Sequence, residues 1–402
     1  MSDAQRLPFA NFTHNSSAQR ASRLLMNRTL PLASTTLLTS SIAMALLSGC
    51  PSEGVPFVPP TEGIATLGAG THDLARIRVE MIATSEDGLD APTDVAIQTD
   101  IPGNIWITNR NKDGITIVYD VDSSERSSRD VTGAPGSTHF LVQPSALAFG
   151  VEGRMATAHD TDERTQSSTD EDFMGPTLWT TDTNEFDGGH ASHYDMMHNS
   201  PNAQGIAWER DNVYWVADGY HGSITRYDFQ MDHDAGGEDH SDGIIERHVE
   251  GALGHIDGVP GHLEIDQASS RLFACDPANH RVLWLDIGSG ERAGSLDDNY
   301  DFSEAYFMEG TEFDVFVEAS DLTGVAMREP SGIAIGNGHV YVSDHGNTHL
   351  YAFDFNGQLV DWIDLSPMAP EGGLGGVAVD ATGRVYVTVM GANQLIRLSP
   401  AL

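Results

Sequence analysis

A six-bladed β-propeller, all-β and closed by an N-terminal strand that joins the last blade, is the fold class this sequence predicts. Three observations lead there. A short phrase recurs six times between Pro92 and the C-terminus: a turn, an apolar strand, a Gly or Asn turn, and a second strand closing on a polar residue. Each copy is too short to bury its own faces, so copies must stack on one another. The final copy lacks a fourth strand, and the segment preceding the first copy can supply one.

The inner strands align at residues 92–97, 144–149, 203–208, 260–265, 331–335 and 375–379. Their apolar anchors Val95, Leu147, Ile206, Leu263, Ile333 and Val377 lie 52, 59, 57, 70 and 44 residues apart. Short β-rich strands at this spacing, separated by turn residues, suit a radial array of four-stranded sheets. The Gly and Ala residues around the anchors allow backbones to approach where inner strands converge on an axis. The clearest copy runs from residues 330–335 into 340–344 and 349–354. In the last copy three strands are evident, at 376–380, 384–389 and 394–398. Residues 75–83 alternate as a strand should and are expected to complete that blade, removing the sheet edge that would template aggregation. An open solenoid is the alternative, and it would need caps that are not evident in the sequence.

The stretch Asp276-Pro277-Ala278-Asn279-His280-Arg281-Val282 resembles the turn between second and third strands of NHL-repeat propellers. Residues 344–350 are a weaker copy, and Asp218-Gly219-Tyr220-His221 departs further; the first two blades lack the turn. The resemblance spans residues 65–402 and implies the same propeller fold. Insertions are expected at 161–176, 183–200 and 292–329, with a shorter acidic loop at 231–242. Long loops on a rigid scaffold are the usual place for function.

The N-terminal 50 residues read as a targeting signal. Arg28 is followed by an apolar stretch through Leu47, and Leu47-Ser48-Gly49-Cys50 resembles the lipobox of bacterial lipoproteins, whose cysteine is acylated after cleavage. An ordinary secretion signal containing a cysteine is the alternative, and Met26 suits the true start. Lipidation at Cys50 implies a membrane anchor and a place in the bacterial cell envelope, at the outer membrane or cell surface. Residues 51–64, rich in Pro and Gly, read as a tether. Cys275 is then the one thiol left, unable to form an internal disulfide, and reads as a small buried hydrophobe.

The formal net charge is −38, and Lys112 is the only lysine. A surface this acidic repels phosphate backbones and anionic headgroups, which excludes nucleic acid and charge-driven membrane docking. Saline adaptation and an Arg-favouring codon bias both fit the composition. A monomer is expected.

In a propeller, the loops leading into inner strands and the turns between second and third strands open on one face, here the upper face. That rule gathers Asp94, Asn202, Asp218, Tyr220, Asp276 and Asp344 as candidate ligand-binding groups, with Gln204 beside them. His198, His221, His262 and His345 are candidate ligands for a divalent metal, zinc or calcium, and His190 and His193 lie on the same loop as His198. The bland alternatives are hydrogen-bonding turn histidines and aspartates that accept backbone amides in tight turns. Carboxylates at 160–163 with 170–172, and at 232–239, offer oxygen ligands for calcium or simply a solvated loop. Trp179, Trp208, Trp215 and Trp284 read as packing between blades.

Asp218-Gly219-Tyr220 also resembles a turn of the peptidyl-hydroxyglycine amidating lyases, which hold a metal with histidines from several blades beside a tyrosine. The sequence departs from them at the ligand position after the blade-leading proline, which is Thr93, Ser145, Asn202, Gly261 or Ser331 here. Ile224 stands where that family has an arginine. Nucleophile-elbow, phosphate-loop, His-Glu-x-x-His and Cys-x-x-Cys motifs are absent from the sequence. Two readings follow: a binding or scaffold module for an envelope protein, peptide or glycan, or a metal-dependent lyase or hydrolase at the central funnel.

Overall fold

The computed structural model describes residues 63–133, 141–163, 174–186, 192–237, 239–296, 300–369 and 373–401. The signal segment with Cys50, the tether as far as residue 62, His190 and the carboxylates at 170–172 lie outside the described residues.

Six sheets, antiparallel within each four-stranded blade, surround one axis. Blade 1 comprises Pro92–Ile97, Ile105–Asn109, Gly114–Tyr119 and Ser127–Thr132. Blade 2 comprises Pro144–Phe149, Arg154–His159, Thr177–Thr180 and His193–Met196. Blade 3 is built from Ala203–Arg210, Val213–Asp218, Ser223–Asp228 and Ile244–His248. Blade 4 uses Leu263–Asp266, Arg271–Asp276, Arg281–Asp286 and Phe313–Glu318. Blade 5 is Pro330–Gly336, His339–Asp344, His349–Phe353 and Leu359–Asp364. Blade 6 takes Leu374–Val379, Val385–Val389 and Gln394–Pro400, and its outer strand is Ile77–Ala83 from the other end of the domain.

That closure is tied twice. Backbone pairing runs from Ile77 opposite Pro400 to Ala83 opposite Leu395. Arg397 then reaches Glu80 at 2.9 Å and Asp122 of blade 1 at 2.5 Å, and Arg384 holds Asp122 at 2.6 Å. The Arg384 and Arg397 guanidinium groups lower the Asp122 carboxyl to about 2.

The anchors occupy equivalent places. Val95, Leu147, Ile206, Leu263, Ile333 and Val377 are each 3–4% exposed, and each pairs with the second strand of its own blade. Glycines beside them allow the strands to converge: a Cβ on Gly376 would run into Asp94, and one on Gly332 into Gly375. Trp106, Trp179 and Trp215 are buried between blades. Trp208 and Trp284 are half-buried, the latter beneath the Arg271 guanidinium. Cys275 is buried against the Gly332 carbonyl.

Two of the expected insertions hold blade strands. His193–Met196, inside 183–200, is the outer strand of blade 2, and Phe313–Glu318, inside 292–329, is that of blade 4. Between the third and fourth strands of blade 4, a hairpin of Glu291–Ser295 and Glu304–Glu309 crosses to blade 3 and extends its sheet to six strands.

Candidate functional site

The second strand of each blade ends beside the loop leading into its own inner strand, and in most blades a polar side chain there fastens the two. Asn109 Oδ1 accepts the Asp90 amide, and His159 Nδ1 donates to the Val142 carbonyl. Asp276 accepts the Gly254 amide, Asn279 Nδ2 and Arg281 Nε. Asp344 accepts the amides of Arg328, Glu329 and Gly346. Asp218 accepts the amides of Tyr220 and His221 and pairs with His221 Nδ1 at 2.7 Å. All three aspartates are fully buried. Their oxygens are engaged in holding turns.

The other upper-face residues have separate attachments. His345 Nδ1 donates to the Leu374 carbonyl at 3.0 Å. The Asn202 amide donates to Thr161, and its carbonyl accepts from Gly219. His198 is buried against Asp301, with Nδ1 2.8 Å from one oxygen and its amide 2.7 Å from the other. Tyr220 is 50% exposed, edge-on to the His221 ring. His198, His221, His262 and His345 are not brought to one point. Among the described residues the His and carboxylate groups that do converge are Asp195, His233 and His240, with ligand atoms within 4.8 Å of one another.

A strap crosses the upper face. Residues 250–260, leading into blade 4, reach blades 1 and 2: His255 Nε2 lies 2.9 Å from Asp160, the Gly258 amide 3.0 Å from the same carboxylate, and Arg110 pairs with Asp257 at 2.7 Å. Burial alone would raise the Asp160 carboxyl, but the bonds from His255 and Gly258 and the Arg110 charge outweigh it and hold it below its ordinary value.

Beneath the strap the axis is plugged. His262 of blade 4 extends Nε2 to the Ser145 carbonyl of blade 2 at 3.1 Å and faces Asp94 of blade 1 through Nδ1 at 3.3 Å. A carbonyl only accepts, so Nε2 carries the proton. Asp94 also accepts the amides of Val95 and Leu147. Burial raises its carboxyl, with His262 opposing.

Below the plug a channel of about 310 Å³ runs past the anchors toward Thr99 and Gln267, both exposed at the lower face. Directly after the anchors, five blades carry Ala96, Ala148, Ala207, Ala334 and Ala378, whereas blade 4 carries Glu264. Burial pushes that carboxyl up to about 8, with Asp94 adding to the rise. Glu264, half-buried, is thus the one carboxyl in a ring of alanines, and its acid form is favoured relative to a carboxyl in water.

No family model and no curated protein matches this chain. Among solved structures, it is similar to an auxiliary nutrient binding protein from Bacteroides ovatus (10% identity, 81% of this chain, 77% of that one, TM-score 0.51). It is also similar to a structural genomics protein of unknown function from Bacteroides thetaiotaomicron (12% identity, 80% and 76% covered, TM-score 0.50). A third likeness is to the calcium-binding regucalcin of Agrobacterium tumefaciens (11% identity, 81% and 94% covered, TM-score 0.49). At these identities the likeness is one of fold: a six-bladed β-propeller.

Two groups escaped the sequence reading. Glu264 had a signal, since it replaces alanine in an otherwise uniform aligned position. His233 and His240 stand in the loop read for its carboxylates, and their approach to Asp195 follows from packing between blades 2 and 3.

Proposed function

We propose that this chain is a lipid-anchored propeller of a bacterial envelope, at the outer membrane or cell surface, that binds a protein, peptide or glycan partner on its upper face. The reading is supported most by the fixed state of that face. Its carboxylates are engaged in turns, the strap is locked onto Asp160, and Tyr220 is left half exposed on a rigid turn. A preorganised surface with an aromatic anchor loses little conformational entropy on binding. The acidic charge favours a partner carrying cationic groups. The same fold serves an auxiliary nutrient binding protein, which agrees with a binding role. Acylated Cys50 would hold the module to the membrane through residues 51–64.

The test is to probe peptide and glycan arrays with the labelled full chain, with Tyr220→Ala and with Glu264→Gln. Signals lost in Tyr220→Ala and kept in Glu264→Gln are expected. Signals indifferent to Tyr220→Ala, or no signal at all, would sink the upper-face reading.

Glu264 favours a second reading, in which the channel takes a small apolar molecule bearing a hydrogen-bond acceptor. Binding would then fail in Glu264→Ala and survive in Tyr220→Ala. A metal-dependent lyase or hydrolase at the funnel would need several imidazoles there. Among the described residues the channel lining includes His262 as its one histidine, held between Ser145 and Asp94.

A further inference from the structure

The loop at residues 231–242 joins the third and fourth strands of blade 3, yet it lies on the outer strand of blade 2. Its backbone bonds there twice, from the His233 amide to the Tyr194 carbonyl and from the Gly236 amide to the His193 carbonyl. This brings two imidazoles of the loop, His233 and His240, against Asp195, which is fully buried.

Asp195 Oδ2 and His233 Nε2 are both buried, stand 3.2 Å apart, and have no hydrogen-bond partner among the described residues. A buried carboxylate oxygen beside an imidazole nitrogen, with no hydrogen bond formed by either, is costly unless a proton or a metal ion joins them. Asp242 adds a second oxygen 3.2 Å from the same His233 nitrogen. Two donors bound at about 2.0–2.1 Å to a tetrahedral zinc stand roughly 3.3 Å apart, so both separations match the edge of such a site. His240 Nδ1 meets the other oxygen of Asp195 at 2.7 Å.

Two further carboxylates of the loop are otherwise engaged. Asp232 is held by Arg154 and by Asn212 Nδ2, and Asp239 accepts from Ser241. The converging set is two imidazoles and the fully buried Asp195 carboxylate, and Asp242 at the surface stands against His233 as a fourth group. Calcium prefers six to eight oxygens, whereas imidazole suits zinc and its late first-row neighbours.

We propose that Asp195, His233, His240 and Asp242 bind one zinc-class dication that staples the 231–242 loop of blade 3 to the outer strand of blade 2. The staple is structural: it joins the outer strand of blade 2 to a loop of blade 3, and it is independent of the upper face and the channel. Because the loop delivers His233, His240 and Asp242, while Asp195 comes from another blade, binding would couple loop order to blade docking.

The experiment uses the full chain without affinity histidines, stripped with chelator and dialysed. Zinc is titrated in competition with a chromophoric chelator, cobalt(II) is added to a second sample for its visible spectrum, and thermal midpoints are recorded with and without zinc. His233→Gln and Asp242→Asn are compared with His339→Gln in blade 5, whose imidazole lies elsewhere. Both test residues reach solvent, so these variants should fold, and circular dichroism checks that they do. The expected result is one equivalent of zinc, a tetrahedral cobalt spectrum displaced by zinc, and a zinc-dependent rise in midpoint. In both test variants the affinity falls at least ~10-fold, the loss that even an outer partner of a metal ligand brings, and in His339→Gln it is unchanged. Substoichiometric uptake, or equal affinity in all three variants, would overturn the proposal. So would calcium that fills the site and excludes zinc.

Discussion

Asp94 of blade 1 and His262 of blade 4 meet across the propeller axis, Oδ1 and Nδ1 3.3 Å apart, from inner strands on opposite sides of the ring. Both residues immediately precede the apolar anchor of their blade, so equal register three blades apart brings them face to face. With Nε2–H committed to the Ser145 carbonyl, the Asp94–His262 contact requires one further proton, held between carboxyl and ring. The pair closes the channel toward the upper face.

Removing the ring should be costly. His262→Ala leaves a buried carboxyl and a carbonyl without their partner, and about 3–5 kcal/mol of stability should be lost, the range for breaking a buried pair. His262→Gln should lose less, because its amide can still donate to Ser145. Urea denaturation of the three proteins measures the difference, and equal midpoints would show that the plug does not stabilise the ring.

Glu264 gives a pH signature. Its folded-state value is raised to about 8 from an ordinary 4.5 by burial. A group raised on folding gives its full stability below the unfolded value and loses it as pH rises through the folded one. Wild type should therefore match Glu264→Gln most closely near pH 4.5 and fall progressively behind it toward pH 8. Thermal midpoints across that range report it; a constant gap would mean that the channel carboxyl titrates as if in water.

The closing strand carries a prediction of its own. Ile82 is buried at the junction of blades 6 and 1, and Ile82→Ala should cost about 2–5 kcal/mol by cavity formation. Deleting residues 63–83 should go further, exposing Gln394–Pro400 as an open edge and producing aggregation detectable by light scattering. A soluble monomer after that deletion would mean that the ring closes without its last strand.

For the anchor, Cys50→Ser expressed in a bacterial host should move the protein from the detergent phase to the aqueous phase on phase partitioning. Retention in the detergent phase would argue for the ordinary secretion-signal alternative or for another mode of attachment.

The blades were legible because their period is written in aligned residues: six anchors, the glycines beside them, and the alternating strand at 77–83 that completes blade 6. The outer rim was less so. Glu291–Ser295 is exposed along its whole length, so no apolar alternation marks it, and its hairpin joins blade 3 through a parallel pairing that no local turn encodes. The turn aspartates at 218, 276 and 344 stood out as a repeat, but whether they face a ligand or a backbone amide depends on the path of the loops above them. The meeting of Asp195 with His233 and His240 depends on one loop lying over a neighbouring blade, and no sequence spacing records that.

The most direct test of the binding account is an amide hydrogen-exchange footprint of the full chain, with and without a ligand selected from the arrays. The account predicts new protection at residues 218–222 and in the strap at 250–260, with the lower mouth unchanged. Protection confined to residues 97–99 and 264–267 would contradict it and place the ligand in the channel beside Glu264.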